Sequence, residues 1–310
     1  MSQRERVVAV VVTWNRRELL AESLRAVQAQ SSQPSRIVVV DNASDDGTAS
    51  TLRDDFTGLD VTTASSNLGG AGGFALGLDR ALRTDCDAVW LLDDDTVPTP
   101  SALAELLSAR RDYAHSTPAL VASRVVWTDG RDHPMNTPRP KPGVRARETA
   151  DAEAVGCMPI RSASFVSVLV DAGATRECGL PIADYFLWND DFEFTTRLIR
   201  GRRALYCPAS VVVHKTATFG STNADPGSRF YYEVRNKVWL FGRSSGLSPA
   251  EKVLYGGSTL RRWGRTILAS ADRATLLRSL WAGLGAGIRT SPRATADVID
   301  QPVATSADDG

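Results

Sequence analysis

In the first 95 residues, short unbroken apolar runs alternate with helical spacing, and this pattern constrains the fold more than any other feature. Residues 7–13 (VVAVVVT), 36–40 (RIVVV) and 88–92 (AVWLL) are continuous apolar runs, with a weaker one near 59–63. Continuous runs suit strands buried on both faces of a parallel sheet. Between them, residues 16–29 place Leu19, Leu20, Leu24 and Val27 at helical spacing. A short helix is predicted after the turn "DNASDDGT", and another from about Phe74 to Leu82. The order β-α-β-α-β-α-β predicts an α/β fold built on a doubly wound, mostly parallel sheet. Ligands of such sheets bind beyond the carboxyl ends of the strands. Thr13–Asn15, Asp41–Asn42, Asn67–Gly70 and Asp93–Asp95 all fall at such ends.

Further along, residues 128–160 read as a long loop and 162–170 (SASFVSVLV) as a strand. Residues 190–203 read as a helix opened by acidic side chains, and a last strand ends at His214. The remainder is helical, with disorder expected over 291–310. The predicted organisation is a catalytic domain over 1–228, a basic helical region over 229–290 and the disordered tail. The four cysteines, Cys86, Cys157, Cys178 and Cys207, lack metal-site spacing and read as free thiols. The N-terminal apolar run is too short for a signal segment, and no stretch approaches the roughly 20 apolar residues of a membrane span.

Three carboxylates, Asp93, Asp94 and Asp95, stand together where the strand 88–92 ends. Asp93 and Asp95 flank Asp94 and suit a hard divalent cation shared with a diphosphate, against the plain alternative of a solvated acidic turn. In "NLGGAGGFALG", Gly70, Gly72 and Ala75 fit a dinucleotide fingerprint, but the loop follows about the third strand, not the first. Tight packing without a ligand is the alternative reading there. In "FLWNDDFEF", Asp190, Asp191 and Glu193 crowd a helix start beside Trp188, which can raise one pKa and yield a general base, or merely suit the helix dipole. His214 gains meaning only if it faces the aspartates.

With these motifs in order, the chain resembles family 2 glycosyltransferases of the GT-A fold over about residues 6–240. The resemblance rests on "VVVTWNR", "IVVVDNASDDGT", "SSNLGGAGGFALG", "LLDDD", "LWNDDFEF" and the late His214. Within the family, "NLGGAGGFALG" and "FYYEVRN" are most similar to bacterial galactofuranosyl- and rhamnosyltransferases of cell-envelope polysaccharide synthesis. The resemblance implies that Thr13, Asn15 and Asp41 hold the nucleoside and that Asn67 and Gly69 lie along the ribose and diphosphate. It implies that Asp93, Asp95 and His214 hold Mn²⁺ or Mg²⁺, with Asp93 and Asp94 also at the nucleotide-sugar. Asp191 would be the catalytic base with Asp190 beside it, and Trp188 would line the acceptor site. Trp188 stands two residues before Asp190, where related transferases place it directly before the aspartates, which leaves the choice of base between the two open. The implied donor is UDP-galactofuranose or dTDP-rhamnose, and the acceptor a lipid-linked glycan or polysaccharide.

The net charge is zero, yet residues 229–293 carry twelve Lys and Arg against three acidic residues. Leu260, Trp263 and Ile267 share a helical face with Arg261, Arg262 and Arg265 around the other, and Leu277, Trp281, Leu284 and Ile288 repeat the pattern. Such basic amphipathic helices suit an anionic membrane surface, or they pack on the catalytic domain or a second subunit. The expectation is therefore a cytoplasmic protein peripheral at the inner face of the membrane, without nucleic-acid partners, its oligomeric state left open. Two other function classes stand beside this one: an NAD(P)-dependent oxidoreductase using the Gly-rich loop, and a non-catalytic nucleotide-sugar-binding assembly protein.

Overall fold

The computed structural model describes residues 5–220 and 225–300. The strands are β1 (Val7–Thr13), β2 (Arg36–Asp41), β3 (Asp60–Thr63), β4 (Ala88–Asp93), β5 (Thr96–Pro98), β6 (Leu120–Val126), β7 (Arg139–Pro140), β8 (Met158–Ser162), β9 (Ser167–Asp171) and β10 (Ala204–His214). They join in the order β3-β2-β1-β4-β9-β6-β10-β8-β7, with β5 beside β10. β3, β2, β1 and β4 are parallel, as their unbroken apolar runs predict. β9 lies antiparallel to both β4 and β6, and β10 is antiparallel to β5 and β8. β10 runs parallel to β6, so the sheet is mixed, with antiparallel strands set among the parallel ones. A strand buried on both faces keeps no record of its direction in its apolar pattern, so the reversal is invisible in the sequence.

The helices are α1 (Arg17–Gln28), α2 (Thr48–Asp55), α3 (Gly69–Leu82), α4 (Ala102–Asp112), α5 (Ala146–Glu153), α6 (Ala172–Cys178), α7 (Asp190–Leu198), α8 (Phe230–Arg243), α9 (Pro249–Ala269), α10 (Arg273–Arg289) and α11 (Thr295–Ile299). The central strand β1 feeds two cores. Val7, Ala9 and Val11 pack with Leu20, Leu24 and Leu103 on one face, while Val8, Val10 and Val12 pack with Phe74 and Leu78 on the other.

Several boundaries differ from the sequence reading. The Gly-rich stretch is helix, not loop, because α3 starts at Gly69. Its glycines let helix and sheet approach closely: a Cβ on Gly77 would sit 2.3 Å from Val10 Cγ1. The close approach falls at Gly73 and Gly77, beside the fingerprint positions Gly70 and Gly72, so tight packing accounts for part of the glycine-rich stretch. Residues 162–170 hold parts of two strands, because the chain bends at Ala163–Val166 to bury Phe165 against Phe74. The helix expected to reach residue 203 stops at Leu198, just before Gly201 at φ 76°. The long loop 128–160 contains β7 and α5. In the expected disordered tail, residues 295–299 form α11, whose Val298 and Ile299 pack near Leu68 and Ala75. Residues 301–310 of that expectation lie outside the described residues. All four cysteines are free.

The C-terminal helices close on the sheet domain. Trp239 of α8 packs with Tyr185 and Ala71, and Leu240 with Phe192. Trp263 packs with Phe230, Val234 and Leu276, with Ile267 and Leu284 against the same cluster. These three side chains therefore pack inward. Leu260 (66% exposed), Leu277, Trp281 (70%) and Ile288 point outward. No helix among the described residues is long and apolar enough to cross a membrane.

Arg161 ties this junction together. It is buried on β8, donates to the carbonyls of Thr196 and Gly246, and pairs with Glu251 at the start of α9. Arg161→Ala is expected to cost about 3 kcal/mol, because it strands the partners of a buried ion pair. Urea unfolding checks this. Burial pushes Glu251 up, but the bonds from Arg161 and the Ser248 amide outweigh it and hold its carboxyl at about 2. The contribution is therefore present above the unfolded value near 4.5 and is lost as pH falls towards 2. Acid titration of wild type should show that loss, and Arg161→Ala should show a smaller one, since the Ser248 bonds remain.

Candidate active site

The carboxyl ends of β1, β2 and β4 meet on one edge of the sheet. β4 delivers Asp93, and the tight turn into β5 carries Asp94 and Asp95. Asp94 turns inward: its Oδ2 accepts from Thr13 Oγ1 at 2.8 Å and its Oδ1 from Arg16 Nη1 at 3.1 Å. Arg16 also donates to Asp95 Oδ2 at 2.6 Å. A guanidinium from the β1–α1 turn is thus one cation that lets the carboxylates sit together.

A second cationic position is formed by the side chains themselves. Asp93, Asp95 and His214 each offer a ligand atom, all within 4.8 Å of one another. β10 pairs with β5, which brings His214 opposite Thr96 and its Nε2 within 3.0 Å of Asp95 Oδ1. His214 Nδ1 lies 2.9 Å from Asn136 Oδ1, an acceptor only, so Nδ1 carries hydrogen. Nε2 then meets Asp95 Oδ1 acceptor to acceptor unless a proton or metal ion lies between them. The donor set, two carboxylates and an imidazole, fits Mn²⁺ or Mg²⁺. The ionisation pattern has the same origin. Burial, helped by the Asp95 charge, pushes Asp93 up to about 7. Burial also pushes Asp95 up, but His214 and Arg16 outweigh it and hold its carboxyl below the ordinary range. Burial lowers His214, and the bond to Asp95 more than reverses that.

Beside this cluster on the sheet edge, Asp41 is buried at the end of β2. Its Oδ1 accepts from the Ser44 amide at 3.0 Å, while its Oδ2 is buried without a partner. Asn15, at φ 52°, is exposed and fastens the two loops: its amide donates to Ser44 Oγ and its Oδ1 accepts from the Asp45 amide, each at 2.9 Å. Asn67 Oδ1 accepts from the Gly69 amide at 2.7 Å and so fixes the start of α3. Gly69, at φ 68°, lies against the loop before α7, where a Cβ would fall 2.1 Å from the Phe186 carbonyl oxygen. No other residue type fits that position.

The third group opens α7. Phe186, Trp188 and Asn189 all have positive φ, an unusual run for non-glycine residues. Asn236 of α8 holds this segment. Its fully buried Nδ2 lies 2.9 Å from the carbonyl oxygens of Tyr185, Leu187 and Trp188, so its two hydrogens serve three acceptors. The segment ends by presenting Asp190 and Asp191. Burial, with the Asp191 charge, drives Asp190 well above the carboxylate range. Burial raises Asp191 too, opposed by the Phe192 amide, Lys237 and Arg139. Asp191 lines a cavity of about 140 Å³ together with Asn136, Ser164 and Lys237, and Asp190 does not. Asn136 thus touches both the cavity of Asp191 and the histidine of the acidic cluster. Glu193 is spoken for by Arg197 at 2.8 Å and Ser244 at 2.7 Å. Trp188 lies under Arg229, 5.6 Å from ring centre to guanidinium carbon.

Asn236→Ala should release the segment and lower turnover by about 10²-fold, since misplacing a reacting group by an ångström has that order of effect. Steady-state kinetics with a nucleotide-binding control checks it.

Arg16 and Asn236 stood in the quoted motifs "VVVTWNR" and "FYYEVRN" but carry no chemistry-bearing spacing of their own. Asn136 lies in the proline-rich stretch 128–160, where no periodicity marks it.

The profile of the family described as "Glycosyl transferase family 2" matches residues 8–169. Galactofuranosyltransferase GlfT1 of Mycolicibacterium smegmatis is 35% identical over 279 residues, which are 83% of this chain and 90% of that protein. GlfT1 of Mycobacterium tuberculosis is 32% identical over 77% of this chain and 83% of its own. Among solved structures, S. aureus TarS 1–349 in complex with UDP-GlcNAc aligns with a TM-score of 0.61 at 15% identity, over 91% of this chain and 81% of that one. The chain spans 43% of a longer TarS structure. The mannosyltransferase PcManGT from Pyrobaculum calidifontis, in complex with GDP-Man and Mn²⁺, aligns with a TM-score of 0.53 at 20% identity, over 96% and 79%. At these identities the solved structures share the fold.

Proposed function

The chain belongs to glycosyl transferase family 2, and from that premise we propose that it transfers a hexosyl group, with inversion, from a nucleotide-diphosphate sugar to a lipid-linked or polysaccharide acceptor of the cell envelope. Galactofuranose is the favoured sugar and rhamnose the next. The 35% identity to a galactofuranosyltransferase across most of both chains supports that order. The observation that carries the chemistry is the sharing of Asn136 between the Asp191 cavity and the Asp93–Asp95–His214 cluster.

In this reading Asp41 offers its free Oδ2 to the nucleoside base, and Thr13 and Asn15 hold the loops that shape the pocket. Asn67 and Gly69 keep the start of α3 beside the ribose and diphosphate. Thr13 and Arg16 hold Asp94 and Asp95, so that Asp95 Oδ1 faces His214 and Asp93. A divalent cation held by Asp93, Asp95 and His214 would offset negative charge on the departing nucleoside diphosphate. Asp191 takes the proton from the acceptor hydroxyl as that oxygen attacks the anomeric carbon. Asp190, its pKa raised by burial, stands beside it in sequence and outside the cavity. Trp188 lines the acceptor side. One in-line displacement inverts the anomeric centre, and no covalent intermediate is needed.

The outward stripe Leu260, Leu268, Leu277, Trp281 and Ile288, flanked by Arg261, Arg265 and Arg278, supports a peripheral seat on an anionic membrane at the cytoplasmic face. The division at residue 228 is proposed as a functional one: donor chemistry before it, acceptor and membrane contacts after it.

Binding and hydrolysis of a nucleotide-sugar panel, with Mn²⁺ and with EDTA, tests the reading. Metal-dependent selection of UDP-galactofuranose is expected. Selection of dTDP-rhamnose keeps the mechanism and changes the sugar. Absence of metal-dependent nucleotide binding overturns the proposal. Binding without turnover on any acceptor favours a non-catalytic assembly role.

A further inference from the structure

Lys237 of α8 is only 6% exposed. Its Nζ makes no hydrogen bond or ion pair within 4 Å among the described residues and faces the rings of Phe192 at 4.7 Å and Phe241 at 5.8 Å. Leaving a buried ammonium without a carboxylate is costly, so such a group is either neutralised or awaits an anion. Burial pulls its pKa down only to about 8, with Glu233 acting the other way. Glu233 does not serve as its partner, because Asn189, Trp263 and Arg262 already donate to it.

The position of Lys237 is informative. It lines the cavity that holds Asp191, and Arg139, Phe192 and Arg262 continue with it into a second cavity of about 200 Å³. Arg139 has no ion-pair partner among the described residues and lies over Phe192 and Tyr255. The second cavity shares Ser258 and Arg262 with a groove of about 840 Å³ along α9, where Arg261, Arg265 and the exposed Leu254 stand. A cationic path therefore runs from the proposed base to an apolar, outward helix face.

We propose that Lys237, Arg139 and Arg262 form a subsite for the phosphate or diphosphate ester of the acceptor, whose apolar group leaves along α9 past Leu254. The inference rests on the glycosyl-transfer reading and adds to it the handle by which the acceptor is held. The oxyanions replace the missing counter-charge of Lys237, and Arg139 and Arg262 supply forked donors. The reacting hydroxyl then reaches Asp191 within the cavity that Lys237 also lines.

The test uses the full chain in EDTA, with dodecyl diphosphate and inorganic pyrophosphate as probes in titration calorimetry. Uridine diphosphate with Mn²⁺ is titrated in parallel, so that the donor site is reported separately. Dodecyl diphosphate should bind wild type and bind Lys237→Met and Arg139→Gln at least tenfold more weakly. Arg139 is exposed, so its variant keeps the test alive if Lys237→Met does not fold. With a phosphate-bearing acceptor and the same glycan lacking phosphate, the preference for the former should fall at least tenfold in either variant, through KM. Equal binding of dodecyl diphosphate to wild type and both variants overturns the subsite. So does its displacement by saturating uridine diphosphate and Mn²⁺, which would put the anion in the donor site. Pyrophosphate binding as tight as dodecyl diphosphate overturns the apolar path and supports the phosphate contact. Failure of uridine diphosphate to bind would instead count against the glycosyl-transfer reading, whatever the EDTA titration gives.

Discussion

Asp191→Asn should lower transfer by about 10³-fold while nucleotide-sugar binding is kept, within the range expected for loss of a positioned general base. Asp191 is the acidic group on the wall of the cavity beside Asn136, and the amide keeps its shape while removing its basicity. Asp190→Asn should cost less than tenfold, because Asp190 does not line that cavity and burial, with the Asp191 charge, raises its pKa and makes it the poorer candidate. The pair of variants decides which aspartate is the base. The pH profile gives a second check. Burial raises Asp191 above the ordinary carboxylate value, so the acid limb of kcat/KM should fall at a higher pH than that value. Activity is present above that folded pKa and lost below it, and Asp191→Asn should have no such limb. The same shift has a stability consequence of opposite sense. A carboxyl with a raised folded pKa opposes folding above its unfolded pKa, so Asp191→Asn should raise Tm while it removes activity.

Asp95→Ala should abolish Mn²⁺-dependent donor binding and lower activity by about 10³-fold, as expected when charge stabilisation of a leaving group is lost. Asp95 holds two positions at once: Oδ2 takes Arg16 and Oδ1 faces His214. Its removal therefore takes one carboxylate from Arg16 and the nearer one from His214 Nε2. The measurement is the rise in Tm that Mn²⁺ and nucleotide together give, which follows from binding to the folded state alone. Wild type should show it and Asp95→Ala should not. A fully active Asp95→Ala protein would sink the assignment.

Much of the site was legible because strand ends announce themselves. Thr13, Asp41 and Asp93 each close an unbroken apolar run, and β1, β2 and β4 do align in parallel. His214 could be suspected but not placed, because its approach to Asp95 depends on the β5–β10 pairing across more than a hundred residues. The reversal of β9 was hidden, since Ser167–Asp171 buries both faces. The Gly-rich stretch was read as a loop, yet it opens α3, and Gly73 and Gly77 there are demanded by Val12 and Val10 of β1. The C-terminal helices were read half correctly. Apolar residues at one spacing divide between an inner set around Trp263 and an outer set around Trp281, and only the neighbouring helix decides which is which. Asn136 and Lys237 gave no sign, as a lone amide or lysine gains its meaning from what surrounds it.

The side chain of Asn236 has a practical bearing on where this protein can be cut. A shortened version stopping at residue 228 would retain every acidic residue assigned to the chemistry. It would also lose the Asn236 side-chain amide, which serves the carbonyls of Tyr185, Leu187 and Trp188. Three positive-φ residues would then keep their places without that amide, and Asp191 would follow a segment with fewer ties. Expression boundaries chosen from the charge asymmetry alone would yield a soluble-looking sheet with an idle centre, and a workable minimal version has to run through Arg243 at least.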